Sequence, residues 1–289
     1  MRTSPLRVAI QGERGAFSEQ AARRLLGEDA RIVPRPTFES MFRAIDERVA
    51  DCALAPVENS LAGTVHRVYD LLLASRLTIS NEVIQPIVHC LIGCPGSTMA
   101  TIRAVESHPV ALAQCERFFA RRPGIRRMST EDTAASVREV IASGDKTRAA
   151  IASALAAEIY GGKILMRHVE DHRENYTRFV LLENAARREK KAGNKLSVVF
   201  RLPHRSGALH QALGVPARHG LNLTKIESRP LHGKPWEYCF YVDLAISGGG
   251  DQFETALGEL RRATHGLRIL GRYAAARAGK RTWRNARRR

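Results

Sequence analysis

The sequence predicts an α/β protein with two parts, a larger first part and a smaller ferredoxin-like unit behind it. Short apolar strands alternate with amphipathic helices up to about residue 183. A polar and basic stretch at 184–194 then reads as a linker. Beyond that linker the pattern changes to the order βαββαβ, which is that of a ferredoxin-like sandwich of four antiparallel strands and two helices.

Bulk composition is that of a globular protein with a sizeable core. The chain has 289 residues, 44% of them hydrophobic, and no run of about 18 apolar residues that would predict a membrane span. Its five cysteines lack paired spacing, so we expect free thiols in a reducing compartment. The first residues lead into an apolar strand without a signal-peptide core, which favours a cytoplasmic location.

Net charge is +17, and part of it is local. Eight basic residues follow Gly271 without an acidic one, so we expect 274–289 to be a basic, disordered tail. Nucleic-acid binding is not favoured, because no basic face interleaved with aromatic residues accompanies the tail. The remaining positive charge favours a small anionic substrate.

A glycine turn follows the first strand, residues 6–11. Gly12 and Gly15 precede a helix that Ser18 could cap, and free N–H groups at such a helix start attract anions. The third glycine of the dinucleotide fingerprint is missing, so a carboxylate fits as well as a phosphate. Gly15 and Ser18 are therefore candidate binding residues.

A second polar turn, Glu58-Asn59-Ser60, ends the apolar strand before Gly63. Ligands of open α/β sheets bind at the carboxyl ends of strands, which makes these three side chains candidates for a binding site. Capping of the next helix by Asn59 or Ser60 is the alternative.

Ser107, His108 and Gln114 follow another short strand. A hydrolase is not favoured, since the strained Gly-x-Ser-x-Gly turn is absent. Ser107 and Gln114 fit better as neutral donors to a ligand carboxylate.

Metal binding is not predicted. His168 and His172 flank Glu170, but the glutamate is misplaced for a zinc-protease helix and the segment lacks helical periodicity. No metal and no organic cofactor is expected.

Tyr176 to Leu182 reads as a strand with Thr177 and Arg178 near its start. Buried polar groups need partners, so this stretch alone fits either internal pairing or a functional site. On a regular strand Thr177 and Phe179 share one face and Arg178 takes the other.

These motifs, in this order and spacing, resemble those of the prephenate dehydratases. The C-terminal unit resembles the ACT regulatory domain of the same family. The resemblance covers about residues 6–272 and departs from the family at Val110, where Gln is frequent after Ser-His-Pro. The motifs that carry it are Gly12-x-x-Gly15-x-Phe17-Ser18, Pro56-Val57-Glu58-Asn59-Ser60-x-x-Gly63, Ser107-His108-Pro109 with Gln114-Cys115, Asp132-Thr133, Asn175-x-Thr177-Arg178-Phe179, Gly207-Ala208-Leu209 and Asn222 to Pro230.

The resemblance implies a catalytic domain at 6–183 and an ACT domain at 195–273. The catalytic domain would have two lobes around a cleft, like type II periplasmic binding proteins. The chain would return to the first lobe through the Thr177 strand. Implied substrate contacts are Gly15, Ser18, Glu58, Asn59, Ser60, Ser107, Gln114 and Asn175.

The implied reaction is loss of carbon dioxide and water from prephenate, which makes the ring aromatic and gives phenylpyruvate. The catalytic residues carried over are Thr177, Arg178 and Phe179. Thr177 would hydrogen-bond the departing hydroxyl, Arg178 would bind or organise a carboxylate, and Phe179 would exclude water.

The resemblance also implies feedback inhibition by phenylalanine bound between paired ACT domains in a homodimer or homotetramer. The implied contacts lie in two turns and are Gly207, Ala208, Leu209, Glu227, Ser228, Arg229 and Pro230.

Two other functions stay open at this point. An arogenate dehydratase would act on a substrate with an amino group on the side chain, and sequence does not separate the two. A non-catalytic protein that binds small anions and carries an amino-acid sensor is the second.

Overall fold

The computed structural model describes residues 5–184, 193–231, 234–246 and 250–276, without the side chains of 234–236 and 250–252. The chain divides into two compact units, one formed by 5–75 with 83–181 and the other by 76–82 with 182–276. The predicted linker lies mostly, and the predicted tail almost wholly, outside the described residues.

The first sheet has the strand order β2-β1-β3-β11-β5, with the short β4 paired to β3. β1 is parallel to both β2 and β3, as βα units require. Because β11 joins β3 and β5, the predicted return of the chain to the first sheet is confirmed. The strands are β1 Arg7–Gln11, β2 Arg31–Arg35, β3 Cys52–Asn59, β4 Gly63–Thr64, β5 Leu77–Pro86 and β11 Tyr176–Asn184.

Three helices accompany the first sheet: α1 Phe17–Leu26, α2 Phe38–Asp46 and α3 His66–Ala74. Thr37 caps α2 in a reciprocal capping box with Ser40. The core beneath contains fully buried β1 and β3 residues such as Val8, Ile10 and Leu54. Burial of these apolar runs sets where each strand lies, so the polar residues that follow a run lie at the carboxyl end of its strand.

The second sheet has the order β10-β6-β9-β7-β8 and a core on each face. Ala150 and Ala152 pack on one side, and Ala149 and Ile151 on the other. Strands buried on both faces read as continuous apolar runs, as β9 does. The elements are β6 Cys90–Gly93, β7 Ala104–Ser107, α4 Pro109–Ala113, α5 Glu116–Ala120, β8 Arg126–Ser129, α6 Thr133–Ser143, β9 Arg148–Ala152, α7 Ala154–Tyr160 and β10 Lys163–Arg167.

The second unit confirms the predicted ferredoxin-like order. Its sheet is antiparallel throughout, in the order β13-β14-β12-β15. A single core under this sheet contains Phe200, Val242 and Phe253. The elements are β12 Lys195–Arg201, α8 Ala208–Arg218, β13 Asn222–Leu231, β14 Lys234–Ala245, α9 Gly250–Ala263 and β15 His265–Tyr273.

Within the described ranges, no helix combines the length and the apolar character needed to cross a membrane.

Candidate functional site

A cleft of about 510 Å³ lies within the first unit, lined by residues of both sheets. That size is typical of sites for small molecules. Aromatic and aliphatic side chains form much of the wall, and a few polar groups converge between them. The lining includes Gln11, Phe17, Ser18, Phe38, Asn59, Thr64, Ile87, His89, His108, Val110, Gln114, Asp132, Thr177 and Phe179.

The β11 strand presents alternate side chains to this cleft. Thr177 and Phe179 line it, and both are buried, 9% and 2% exposed. Arg178 does not line it and lies 3.7 Å from the Glu58 carboxylate. The predicted alternation, with Thr177 and Phe179 on one face and Arg178 on the other, is confirmed. Neither Arg178 nor Glu58 lines the cleft, so the direct ligand contact expected of each is corrected.

Asn59 fixes the hydroxyl of Thr177. Asn59 Oδ1 accepts the backbone N–H groups of Leu61 and Ala62, at 3.0 and 2.8 Å. Its Nδ2 therefore faces β11, where it donates to Thr177 Oγ1 at 2.9 Å. Since the Thr177 oxygen accepts, its own hydrogen is free to donate, and no acceptor among the described residues takes it. The site thus holds a neutral hydroxyl whose hydrogen is available to a ligand.

Gln114 and Asn175 continue the same network. Asn175 is fully buried, accepts from Asn59 Nδ2 at 2.8 Å and donates to Gln114 Oε1 at 2.8 Å. Gln114 lines the cleft, whereas Asn175 supports its neighbours from behind. The structure therefore brings Asn59 and Gln114 together with Asn175 and Thr177, which lie at least 61 positions away along the sequence.

Two predicted serine contacts are used elsewhere in the fold. Ser60 Oγ accepts from Tyr176 N and donates to Glu174 O, which ties its turn to β11. Ser107 is fully buried, and its hydroxyl donates to Ile151 O at 2.6 Å. Neither lines the cleft, so the expected substrate contacts at these two serines are corrected to structural ones.

Gly15 is also corrected, although its turn does bind an anion. The Gly15 N–H donates to the buried Glu19 carboxylate at 2.8 Å, and Arg14 and Arg23 bond to the same group. Burial alone would raise the pKa of Glu19, but the bonds from Arg14, Gly15 and Arg23 outweigh it and lower that pKa. The anion in this turn is therefore the chain's own carboxylate, and a ligand cannot use that N–H group.

Ser18, in the first turn of α1, does line the cleft and is 8% exposed. It does not cap α1 as expected, because Ala16 holds the N-cap position. Val110, which departs from the family pattern, also lines it and is 44% exposed. An aliphatic side chain therefore lines the cleft at the position where Gln is frequent in the family. Asp132 lines the cleft too, but its Oδ1 is taken by the first N–H groups of α6.

Several lining residues were not among the predicted site residues. Phe17, Phe38 and Ile87 add apolar wall, and His89 adds a buried imidazole. The position of Phe17 inside the glycine motif was the available signal for that residue. His89 stands alone between two strands, and no local pattern in the sequence marks it as functional.

The expected phenylalanine contacts belong to the second unit. Gly207 caps α8 with a φ of +77°, a conformation that favours glycine, and Leu209 in the first turn is 36% exposed. Glu227 to Pro230 lie inside the edge strand β13, which corrects the expectation of a turn there. An edge strand leaves one row of backbone groups open to pairing.

Among the described residues, no group of three or more His, Cys, Asp or Glu side chains has an arrangement that could hold a metal ion.

The family model that matches the chain is described as prephenate dehydratase, and it matches residues 8–187. An arogenate dehydratase/prephenate dehydratase of Arabidopsis thaliana is 40% identical, over 93% of this chain and 72% of the relative. A prephenate dehydratase structure from Arthrobacter aurescens, described as a complex with L-Phe, is 29% identical with a TM-score of 0.85, over 93% of this chain and 90% of that one. A structure described as a quorum-quenching acylase, GqqA, is 36% identical with a TM-score of 0.85, over 93% and 98%.

Proposed function

Because the chain belongs to the prephenate dehydratase family and is therefore a hydro-lyase, we propose that its substrate is prephenate and its product phenylpyruvate. It would serve L-phenylalanine biosynthesis. The family establishes the class of reaction, and the cleft supports the choice of residues.

The observation that carries the proposal is the orientation of the Thr177 hydroxyl, which accepts a hydrogen bond from Asn59 and can therefore donate its own hydrogen to a ligand. Asn59 donates to Thr177 Oγ1, so the Thr177 hydrogen is available for an oxygen that gains negative charge. A threonine hydroxyl is too weak an acid to protonate a stable alcohol, but it can stabilise a departing one. Phe179 beside it, with Phe17 and Phe38, supplies an apolar wall that suits a six-membered ring.

The chemistry needs little more than this. The bond between the ring and its carboxylate breaks, and carbon dioxide leaves. The electron pair passes through the diene and expels the ring hydroxyl, which leaves as water after gaining one proton that is replaced from solvent. Formation of the aromatic ring drives the step, so holding the substrate and stabilising the leaving oxygen are the enzyme's tasks.

A side-by-side assay on prephenate and arogenate tests the proposed substrate. We expect phenylpyruvate from prephenate, with a kcat/KM that exceeds the value for arogenate, whose product is phenylalanine. A preference for arogenate would reassign the substrate within the family. Activity on neither, with acylase activity instead, would favour the function described for the acylase neighbour.

We also propose feedback inhibition through the second unit. The Arthrobacter structure is described as a complex with L-Phe, and it matches 93% of this chain. The second unit has the βαββαβ order of an amino-acid-binding ACT domain. Binding between two copies would require a homodimer or homotetramer, and light scattering measures that assembly.

L-phenylalanine is expected to inhibit turnover, with a sigmoidal dependence on its concentration if two sites couple. Leu209→Ala should raise the half-inhibiting concentration about tenfold, because a lost apolar contact weakens binding by roughly that factor. His210→Ala, also exposed and one residue further along α8, is the matched control. A rate that stays constant across the titration would refute the regulation but not the dehydratase activity.

A further inference from the structure

A chain of five hydrogen-bonded side chains runs along the wall of the cleft, and we call it the amide chain. Thr177 Oγ1 and Asn59 Nδ2 are 2.9 Å apart, and Asn59 Nδ2 and Asn175 Oδ1 are 2.8 Å apart. Asn175 Nδ2 is 2.8 Å from Gln114 Oε1, which in turn is 2.9 Å from His89 Nε2. Thr177, Asn59 and Gln114 line the cleft and Asn175 supports them from behind, whereas His89 was not among the predicted site residues.

The backbone fixes the direction of every bond in the amide chain. The N–H groups of Leu61 and Ala62 require an acceptor, so they fix Asn59 Oδ1. The atom of Asn175 that faces Asn59 Nδ2 must then be its oxygen, and the atom of Gln114 that faces Asn175 Nδ2 must be its oxygen too. If the amide of Asn175 or Gln114 were rotated by 180°, its N–H groups would face those of its neighbour, with no acceptor between them.

The same logic fixes the tautomer of His89. Its Nε2 faces the Gln114 oxygen, so Nε2 must carry a hydrogen. Its Nδ1 is buried and has no hydrogen-bond partner among the described residues. Burial lowers the pKa of the 2% exposed imidazole, and the bond to Gln114 and the Glu170 charge oppose this only in part. His89 is therefore neutral near pH 7, with a bare Nδ1.

Gln114 Oε1 thus receives two hydrogen bonds, one from Asn175 and one from His89. Both lone pairs of the oxygen are then used, and both bonds hold the amide plane. Gln114 Nε2, which no described residue accepts from, is the donor left for the cleft that Gln114 lines. The second bond matters because a single one leaves the amide free to rotate about it.

We propose that His89 is a positioning residue, which acts through Gln114 to hold two N–H donors towards a carboxylate of the substrate. The expected effect of His89 on turnover rests on the proposed dehydratase function, whereas the hydrogen-bond geometry around His89 does not. The phenyl ring of Phe17 meets the imidazole edge-on with centroids 5.5 Å apart, and Glu170 accepts the backbone N–H of His89 at 2.9 Å. The Phe17 ring thus packs against the imidazole, and the Glu170 bond fixes the backbone from which the imidazole extends towards Gln114.

Two substitutions at this position separate positioning from packing. His89→Gln keeps an N–H donor at about the reach of Nε2, whereas His89→Leu keeps apolar volume and removes the donor. We expect His89→Leu to lower kcat/KM on prephenate about tenfold to 100-fold, the loss typical of a misplaced contact group. His89→Gln should stay within about threefold of the parent. Circular dichroism and the unfolding midpoint confirm that each variant is folded.

If His89→Leu fails to fold, His89→Asn replaces it, since its shorter side chain withdraws the donor from Gln114. Equal losses in the folded Gln and Leu variants, or no loss in the Leu variant, would overturn the positioning role.

A spectroscopic readout tests the geometry without any turnover. ¹⁵N-labelled histidine in the parent protein, with His89→Gln to assign the signal, reports which ring nitrogen carries the hydrogen. We expect a protonated Nε2 and an unprotonated Nδ1 at pH 7. The opposite tautomer or an imidazolium would overturn the inference even in an active enzyme. Absence of dehydratase activity, with the expected tautomer intact, would instead refute only the proposed function.

Discussion

Thr177→Val should lower kcat on prephenate by about 10³-fold while the protein stays folded. The substitution removes the one hydroxyl on β11 that faces the cleft and whose hydrogen Asn59 leaves available. Valine has nearly the same shape, so the 9% exposed position keeps its packing. Loss of the bond from Asn59 costs about 1 kcal/mol of stability, which a folded domain tolerates.

Steady-state phenylpyruvate formation measures the loss, and urea unfolding measures the stability. Thr177→Ser is the matched control, since it keeps the hydroxyl, and it should recover most of the rate. KM should change less than kcat in the valine variant, because the hydroxyl acts on the departing oxygen in the transition state. A valine variant within tenfold of the parent rate would remove Thr177 from the catalytic residues.

The fold could be predicted because its signals are local. The apolar runs that become β1, β3 and β9 are continuous, and Thr37 and Asp132 precede helices that they then cap. The order βαββαβ of the second unit needed only the succession of strands and helices. Each of these features depends on residues a few positions apart, which a sequence displays directly.

The site could be predicted only in part, because its polarity depends on contacts between distant residues. Thr177, Asn59 and Gln114 stood in recognisable motifs. The role of His89 becomes visible only through the amide chain, whose hydrogen-bonded pairs lie 25 to 118 positions apart along the sequence. At Gly15 the sequence indicated an anion site correctly in kind, but it did not show that the buried Glu19 is the anion.

Gly15 has a second role, a close approach between the glycine turn and α7, and this leads to the second large expected effect. A Cβ on Gly15 would lie 2.7 Å from the backbone Cα of Ala156, too near for any real contact. The carbonyl of Gly15 accepts from Ser153 Oγ at 2.6 Å, and Tyr160 donates to Arg14 O. This turn of the first sheet is thus fixed against the helix of the second, beside the cleft.

Gly15→Ala should lower the free energy of unfolding by about 3 kcal/mol or more, because a backbone clash adds to the strain of a positive φ. Gly27→Ala is the matched control, since Gly27 has a φ of +94° against +84° for Gly15 and no atom within 4 Å of an added Cβ. It should cost only the strain, about 1 kcal/mol. Urea unfolding of both variants separates the cost of the backbone clash from the cost of the positive φ. Equal m-values would show that the unfolded state is unchanged. Equal destabilisation of the two variants would mean that α7 moves aside readily, and that the two sheets are not held together at this turn.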